Sequence, residues 1–337
     1  MTKGHKVSQH RWLKHLIGGG ITLLCLVVFF RQVNLPDVLE ALSHFHWPHL
    51  ILGIASLAAG YALRIIRWSM MLKAGGANTT FGNCSAPFLG SIALNNVLPF
   101  RLGDVVRALV FPRSMGITKT TAASSLIVER LIDLMTLLAS LSIGLIAIQA
   151  ITIPTDLKTS AVSLAIIGGV VLTLGFLFSG LLGRFFAELS GAGEHSSKSG
   201  WHKFYATIGE LLYSFNMMSR PRLLISMLLV SMLVWVGEAG LFYFVLLGAG
   251  VGGTPLVALL VMAVATLSTL VPSSPGYVGP FHLAAFTAIS LVGGTAAQAG
   301  SYAVIVHLAL WLSTTFAGAL AIWTRPELFR AARSQAT

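Results

Sequence analysis

The chain has 337 residues, 55% of them hydrophobic and only 10% charged, with a mean hydropathy of +0.82. Domains that fold in water carry about a quarter charged residues, so this composition excludes a soluble globular domain and calls for a bilayer. A formal charge of +11 would point a soluble protein toward nucleic acid. Here the cations gather in short segments between apolar runs, the mark of membrane topology and anionic lipid surfaces, and no nucleic-acid partner is expected.

At the N-terminus Lys3, Lys6, Arg11 and Lys14 precede an apolar run at 16–30. The run ends Phe29-Phe30-Arg31-Gln32 without a small-residue cleavage site, so it reads as a retained first span rather than a signal peptide. Further runs at 48–72, 122–150, 159–182, 222–247 and 298–323 are long enough to cross about 30 Å of hydrocarbon. The two cysteines, Cys25 and Cys84, support neither a disulfide framework nor a zinc site.

Two other apolar segments, 85–111 and 256–292, are broken in the middle. The first break reads Leu98-Pro99-Phe100-Arg101-Leu102-Gly103-Asp104 and the second Val271-Pro272-Ser273-Ser274-Pro275-Gly276-Tyr277. One offset relates Pro99 to Pro272, Gly103 to Gly276 and Pro48 to Pro221. Backbone groups freed by Pro and Gly are tolerated in a membrane only inside protein or along a wet cavity. Both segments therefore read as re-entrant helical hairpins, and such paired interruptions point to a substrate site at a repeat interface.

Loop charge sets the orientation. The N-terminal tail, the stretch from Arg64 to Lys73, the region of Arg101, Arg107, Arg113 and Lys119, the 183–222 segment and the tail with Arg325, Arg330 and Arg333 are basic. The 31–47 and 151–158 loops are mixed, and 248–255 carries no charge. The positive-inside rule then puts both termini in the cytoplasm. The expected fold is an all-α polytopic membrane protein of about six full spans plus two re-entrant helical hairpins in inverted-topology repeats. Its parts are a tail, first span and outer loop (1–47), a first repeat unit (48–150), a connecting region (151–220), a second, inverted unit (221–323) and a cytoplasmic tail (324–337). Within the connecting region, 190–200 is a Gly/Ser-rich linker. Phe204, Ile208, Leu211, Leu212 and Phe215 then share one helical face, read either as a surface helix or as an extension of the next span.

Charges inside spans are costly and face the protein interior. Arg64 and Arg67, one turn apart, read either as interfacial arginines reaching lipid phosphates or as a clamp for an anion, which guanidinium forks hold in bidentate fashion. Arg101, Asp104 and Arg107 follow the first break at intervals of three, with Asp104 near a helix N-terminus. Asn95 and Asn96 precede the break and can bond freed backbone groups. Glu129, Arg130 and Asp133 share a face; one cation cannot neutralise both acids, so Arg101 or Arg107 is the expected second partner. In the second unit Ser273, Ser274, Gly276, Tyr277 and Gly279 offer hydroxyls and close backbone approach. Glu238, near the middle of its span, is expected to be protonated or paired with His282 or His307. Gly293 and Gly294, beyond the second hairpin, are expected to tolerate valine.

The strings Asn95-Asn96-Val97-Leu98-Pro99-Phe100-Arg101-Leu102-Gly103-Asp104-Val105-Val106-Arg107, Glu129-Arg130-Leu131-Ile132-Asp133 and Pro272-Ser273-Ser274-Pro275-Gly276-Tyr277-Val278-Gly279-Pro280-Phe281 resemble the lysylphosphatidylglycerol synthase transmembrane (flippase-like) family. The resemblance runs over nearly the whole chain. It implies a lipid flippase module, which some members fuse to a soluble aminoacyl-lipid synthase domain. Only a short tail follows Trp323, so lysine transfer to lipid is not implied. His282 stands where relatives commonly place an acid.

The sequence thus reads as a lipid transporter of the bacterial inner membrane, moving an anionic phospholipid or isoprenoid-type lipid between leaflets. Arg64, Arg67, Arg101 and Arg107 are expected to hold the head group. No metal-ligand spacing, nucleotide loop or catalytic triad is evident, so no cofactor and no enzymatic activity are expected. Rival readings are a membrane enzyme acting on polyprenyl-phosphate lipids, with a base among Asp104, Glu129 and Asp133, and a non-transporting partner of an envelope-synthesis complex. The expected partners are the lipid, with a second copy of the chain or an envelope-biosynthesis protein beside it.

Overall fold

A computed structural model describes residues 4–147, 155–191, 200–218 and 220–328. Among these every regular element is helical, and the protein is an all-α, multi-pass membrane protein. Four helices are long and apolar enough to cross a bilayer unbent: α3 (Trp47–Ala74), α7 (Lys119–Ala147), α10 (Pro221–Gly248) and α13 (Ala296–Thr324). Two bent helix pairs bring the spans to six if each crosses once. The apolar part of α1 (Gly4–Gln32) turns by 77° into the short α2 (Leu35–Ser43), and α8 (Thr155–Gly191) bends by 47°.

The interrupted segments form two helical pairs. In the first, α4 (Phe81–Val97) ends at an extended Leu98 and a single turn at Pro99–Arg101, and α5 (Leu102–Leu109) then folds back. The fold-back depends on Gly103, where a Cβ would collide with the Ser91 carbonyl oxygen and come within 2.8 Å of the Asn95 nitrogen. A short α6 (Phe111–Met115) leads to α7. In the second pair α11 (Pro255–Ser268) and α12 (Pro280–Leu291) pack together across a longer break containing the turn Pro275–Tyr277. At about 1.5 Å per residue, α11 and α12 reach roughly 21 and 18 Å, short of a full span.

Small residues let the spans meet. Helices α3 and α10 cross antiparallel, since Gly53 lies by Leu241, Gly60 by Val234 and Gly237, and Arg67 by Ser231. A Cβ on Gly237 would stand 2.7 Å from the Gly60 Cα, and Ser56 Oγ donates to the Gly237 carbonyl at 2.9 Å. Close backbone approach of this kind is how membrane helices associate where no hydrophobic driving force acts. The packing follows a reciprocal scheme: α4 lies on α13 and α11 on α7, while α5 returns to α7 and α12 to α13. Helix α1 lies along the second pair through Gly18, Thr22, Cys25 and Phe29, one stripe at helical spacing.

Three expectations change here. The 31–47 segment holds α2, whose buried Val38 packs on α13 beside Gly300. The amphipathic stretch forms α9 (Gly200–Met218), which docks on α7 and α8; Arg220 is extended before Pro221, so α9 does not continue α10. Gly294 is tight, with a Cβ 2.6 Å from Ile289 Cγ2, and Gly293 has φ +93°, so neither accommodates valine without strain. Most of the 190–200 linker lies outside the described residues.

Candidate functional site

The tips of the two broken pairs meet. Arg101 Nη2 donates to Thr269 Oγ1 at 3.0 Å, and its guanidinium lies over the Tyr277 ring at 5.5 Å. Trp311 Nε1 donates to the Asn96 carbonyl at 3.3 Å, beside Gly276. Among the described residues the non-glycine residues with positive φ are Phe100 (59°), Arg101 (53°) and Tyr277 (58°), all at the breaks. A left-handed non-glycine residue costs on the order of 1–3 kcal/mol and persists where the surroundings enforce it, commonly at functional sites.

Two cavities open beside this junction. One, of about 320 Å³, runs from Tyr61, Arg64, Asp133, Trp235 and Glu238 past Asn95, Asn96, Arg101 and Arg130 to Tyr277, His307 and Trp311. Leu131, Leu134, Leu137, Leu267, Leu270, Phe281 and Leu310 form its apolar side. The other, of about 260 Å³, lies between the tips, with Asn95, Phe100 and Arg101 facing Ser273, Ser274, Gly276 and Tyr277. Arg101, Asn95, Thr269, Leu270, Gly276 and Tyr277 belong to both.

Behind the cavities lie two ion-pair networks. In one, Arg64 Nη2 contacts Glu238 Oε2 at 2.6 Å and Arg67 Nη1 contacts Asp133 Oδ1 at 2.7 Å, with Arg64 and Asp133 3.5 Å apart. Ser231 accepts from Arg67 at 2.8 Å, Trp235 Nε1 donates to Asp133 at 3.3 Å, and the Arg64 guanidinium stacks 4.7 Å above Trp235. In the other, Arg130 donates to both Asp104 oxygens at 2.9 and 2.8 Å, and Arg107 pairs with Glu129 at 2.8 Å. Asn95 closes the hairpin, donating to the Asp104 carboxylate at 2.9 Å and accepting the Asp104 N–H at 3.1 Å.

Arg64, Arg67, Arg107 and Arg130 are thus each matched to a carboxylate among Asp104, Glu129, Asp133 and Glu238. Arg101 is a fifth guanidinium, with no carboxylate within 4.0 Å among the described residues. The site carries one uncompensated positive charge, at the junction of the cavities.

The structure brings most of the sequence-derived residues to these walls, but divides them. Arg67, Arg107 and Glu129, all at most 1% exposed, lie behind the cavities as internal struts. Asp104 is turned into the first hairpin. Gly279 (φ +96°) lies against Thr22 of α1, and Ser274 N–H donates to Thr22 Oγ1 at 2.9 Å. His282 lies behind His307, ring centroids 4.4 Å apart. Glu238 is paired with Arg64 and with no histidine, because the α3–α10 crossing places Arg64 beside it. Arg107, one of the two expected second partners, meets Glu129, and Arg130 reaches Asp104, because α5 packs on α7. Arg64 and Arg67 point into the protein and do not reach outward toward lipid phosphates. Sequence reasoning missed Tyr61, Thr269, Trp235, Trp311 and Thr314 on the cavity wall. Thr269 had a signal, since the offset linking Pro99 to Pro272 also links Asn96 to Thr269. The aromatic residues and Thr314 had none, being ordinary span residues in the sequence.

The fold and this cavity define a multi-pass membrane protein with a buried, arginine-rich site between interrupted helices. Residues 15–318 match the family described as "Lysylphosphatidylglycerol synthase TM region", and the chain belongs to it. It is also similar to "Glycosyltransferase AglD" of Haloferax volcanii, 26% identical over 316 residues that cover 85% of this chain. The chain spans about half the length of that relative, 50%. No solved structure matches the chain. The expectation of no enzymatic activity is overturned by this comparison, because the relative bears the name of a glycosyltransferase.

Proposed function

We propose that the protein holds the anionic head group of a membrane lipid at Arg101, where the two broken pairs meet, and passes it between leaflets. The observation that carries this is the uncompensated guanidinium shared by both cavities. A phosphodiester bearing one negative charge would neutralise it with bidentate, charge-assisted hydrogen bonds. The neighbouring leucines and Phe281 would receive the apolar chain, as ligand cavities combine apolar walls with few polar anchors.

The reciprocal packing of α4 on α13 and α11 on α7 supports treating 48–150 and 221–323 as inverted units, and the basic loops support both termini on the cytoplasmic side. Rocking of such units about a midplane site is the mode of many secondary transporters. The pairs Arg67–Asp133 and Arg107–Glu129 would keep the first unit rigid, while Arg64–Glu238 ties it to the second. The test is native mass spectrometry of co-purified lipid, followed by leaflet exchange of that lipid in proteoliposomes. Lipid adducts lost in Arg101→Ala, and exchange above protein-free vesicles, support the reading; exchange no faster than in empty vesicles overturns it.

The named relative favours a second reading, in which the same cavity presents a polyprenyl-phosphate lipid for glycosyl transfer. Of Asp104, Glu129 and Asp133, only Asp133 is on the cavity wall. Turnover of polyprenyl phosphate with a nucleotide sugar by purified protein would support this reading.

A further inference from the structure

Outside the arginine networks one cluster of titratable groups stands at the second break. His307 Nε2 lies 2.7 Å from the Gly276 carbonyl oxygen, and its ring lies 4.4 Å from that of His282. The carbonyl only accepts, so His307 donates from Nε2 and keeps its Nδ1 lone pair free for a proton. His282 Nδ1 is buried and has no hydrogen-bond partner. Phe29 of α1, with Phe281, encloses the His282 ring, at centroid distances of 5.9 and 6.4 Å. A buried nitrogen without a partner is costly and calls for an explanation.

We infer that the His282–His307 pair is a proton-binding site whose occupancy is coupled to that of the anion site at Arg101. The inference rests on the reading of Arg101 given above. The connection is short: His307 bonds the carbonyl of Gly276, and the next residue, Tyr277, carries the ring under the Arg101 guanidinium. Two imidazoles this close repel when both are charged, so the pair holds at most one proton. Tyr277 and Trp311 share the cavity wall with His307, and Thr22 and Cys25 of α1 lie against Gly279 nearby; none of these is a carboxylate. Arg64, Arg130, Asp133 and Glu238 share the cavity but are matched to one another or to Asp104. With the cavity empty, a proton on the pair adds to the positive charge of Arg101. With a lipid phosphate bound, the same proton meets a neutralised neighbour. Anion and proton therefore bind with positive coupling, and by linkage each tightens the other. Lipid movement is then a co-transport of a phosphodiester anion and a proton.

The test measures phosphatidylglycerol binding to the purified full-length chain in phosphatidylcholine nanodiscs at about pH 5.5 and about pH 8, on either side of the ordinary imidazole range. Binding is expected to be about tenfold tighter at the acid pH, within the usual range of coupling energies. His307→Gln and His282→Gln are each expected to make the affinity independent of pH. Equal wild-type affinity at both pH values, or a pH dependence that survives in both variants, overturns the coupling while leaving the lipid site intact. Absence of phosphatidylglycerol binding at either pH counts against the lipid reading instead. The proton site is then decided by ¹⁵N-histidine spectra of the empty protein: one shared proton supports it, two independent titrations overturn it.

Discussion

Arg101 Nη2 meets Thr269 Oγ1 at 3.0 Å, joining the tip of one interrupted helix pair to the tip of the other. Both partners come from segments that the chain breaks with Pro and Gly, and Arg101 itself is held at φ 53°. The bond spans 168 residues of sequence and places the uncompensated guanidinium at the seam. Any relative motion of the two helix pairs must break it or carry it along.

Replacing Arg101 by Ala removes a charge-assisted anchor and strands no carboxylate. Lipid affinity is expected to fall about tenfold or more, from the loss of on the order of 1.5–3 kcal/mol. Thermal stability in detergent should stay near that of the wild type. Arg101→Lys should restore part of the affinity, keeping the charge but not the fork. Native mass spectrometry of the lipid adduct measures both; a large drop in melting temperature for Arg101→Ala would make the residue a structural brace.

Arg64 and Glu238 form the opposite case. Glu238→Ala leaves the Arg64 guanidinium buried without its 2.6 Å partner, at a cost of about 3–5 kcal/mol. The double variant Arg64→Met, Glu238→Leu removes both charges and should recover most of that loss, since apolar replacement of a buried pair is often neutral. Thermal unfolding in detergent tests this, and equal destabilisation by single and double variants would refute it.

Gly103→Ala should prevent α5 from docking on α4, because the new Cβ meets the Ser91 carbonyl and the Asn95 nitrogen. The Asn95–Asp104 closure would then be lost, and with it a monodisperse elution profile. Gly82→Ala, in the first turn of α4 with open space around it, should be silent or stabilise by up to about 1 kcal/mol. Size-exclusion profiles of the two variants decide whether the tight approach at Gly103 governs folding of the first hairpin.

Topology is checked by cysteine labelling in a background lacking Cys25 and Cys84. A membrane-impermeant maleimide added to intact cells should label Asp37→Cys, in α2, and not Arg113→Cys, in α6. Labelling of Arg113→Cys from outside would reverse the orientation and remove the basis for opposed units.

Much of the architecture was legible in the sequence, because the solvent dictates it. A chain this apolar must pair its own backbone groups, so runs at 48–72, 122–150, 222–247 and 298–323 had to be helices. Pro and Gly at 99, 103, 272 and 276 act on the residues next to them, so the two breaks were also visible. The motifs around them pointed to the family that residues 15–318 match. The short α2 and the docking of α9 were not visible, since both depend on what α13, α7 and α8 present to them.

Apart from Arg107 with Glu129, which the acid-rich face of α7 had called for, the partnerships of the charges belonged to the tertiary structure. Local spacing put Arg130 on one face with Glu129 and Asp133, and left Glu238 to be protonated or to pair with a histidine. Helix packing gave Arg130 to Asp104, Asp133 to Arg67, and Glu238 to Arg64, because buried charges pair with whatever the crossing helices bring within reach. The crossing itself rests on Gly60 and Gly237, whose missing side chains carry no charge signal at all. Only when four arginines had found four carboxylates did Arg101 stand out as the cavity guanidinium without a carboxylate partner among the described residues. Composition fixes how many charges a membrane protein must bury; the contacts between distant helices decide which one stays free to act.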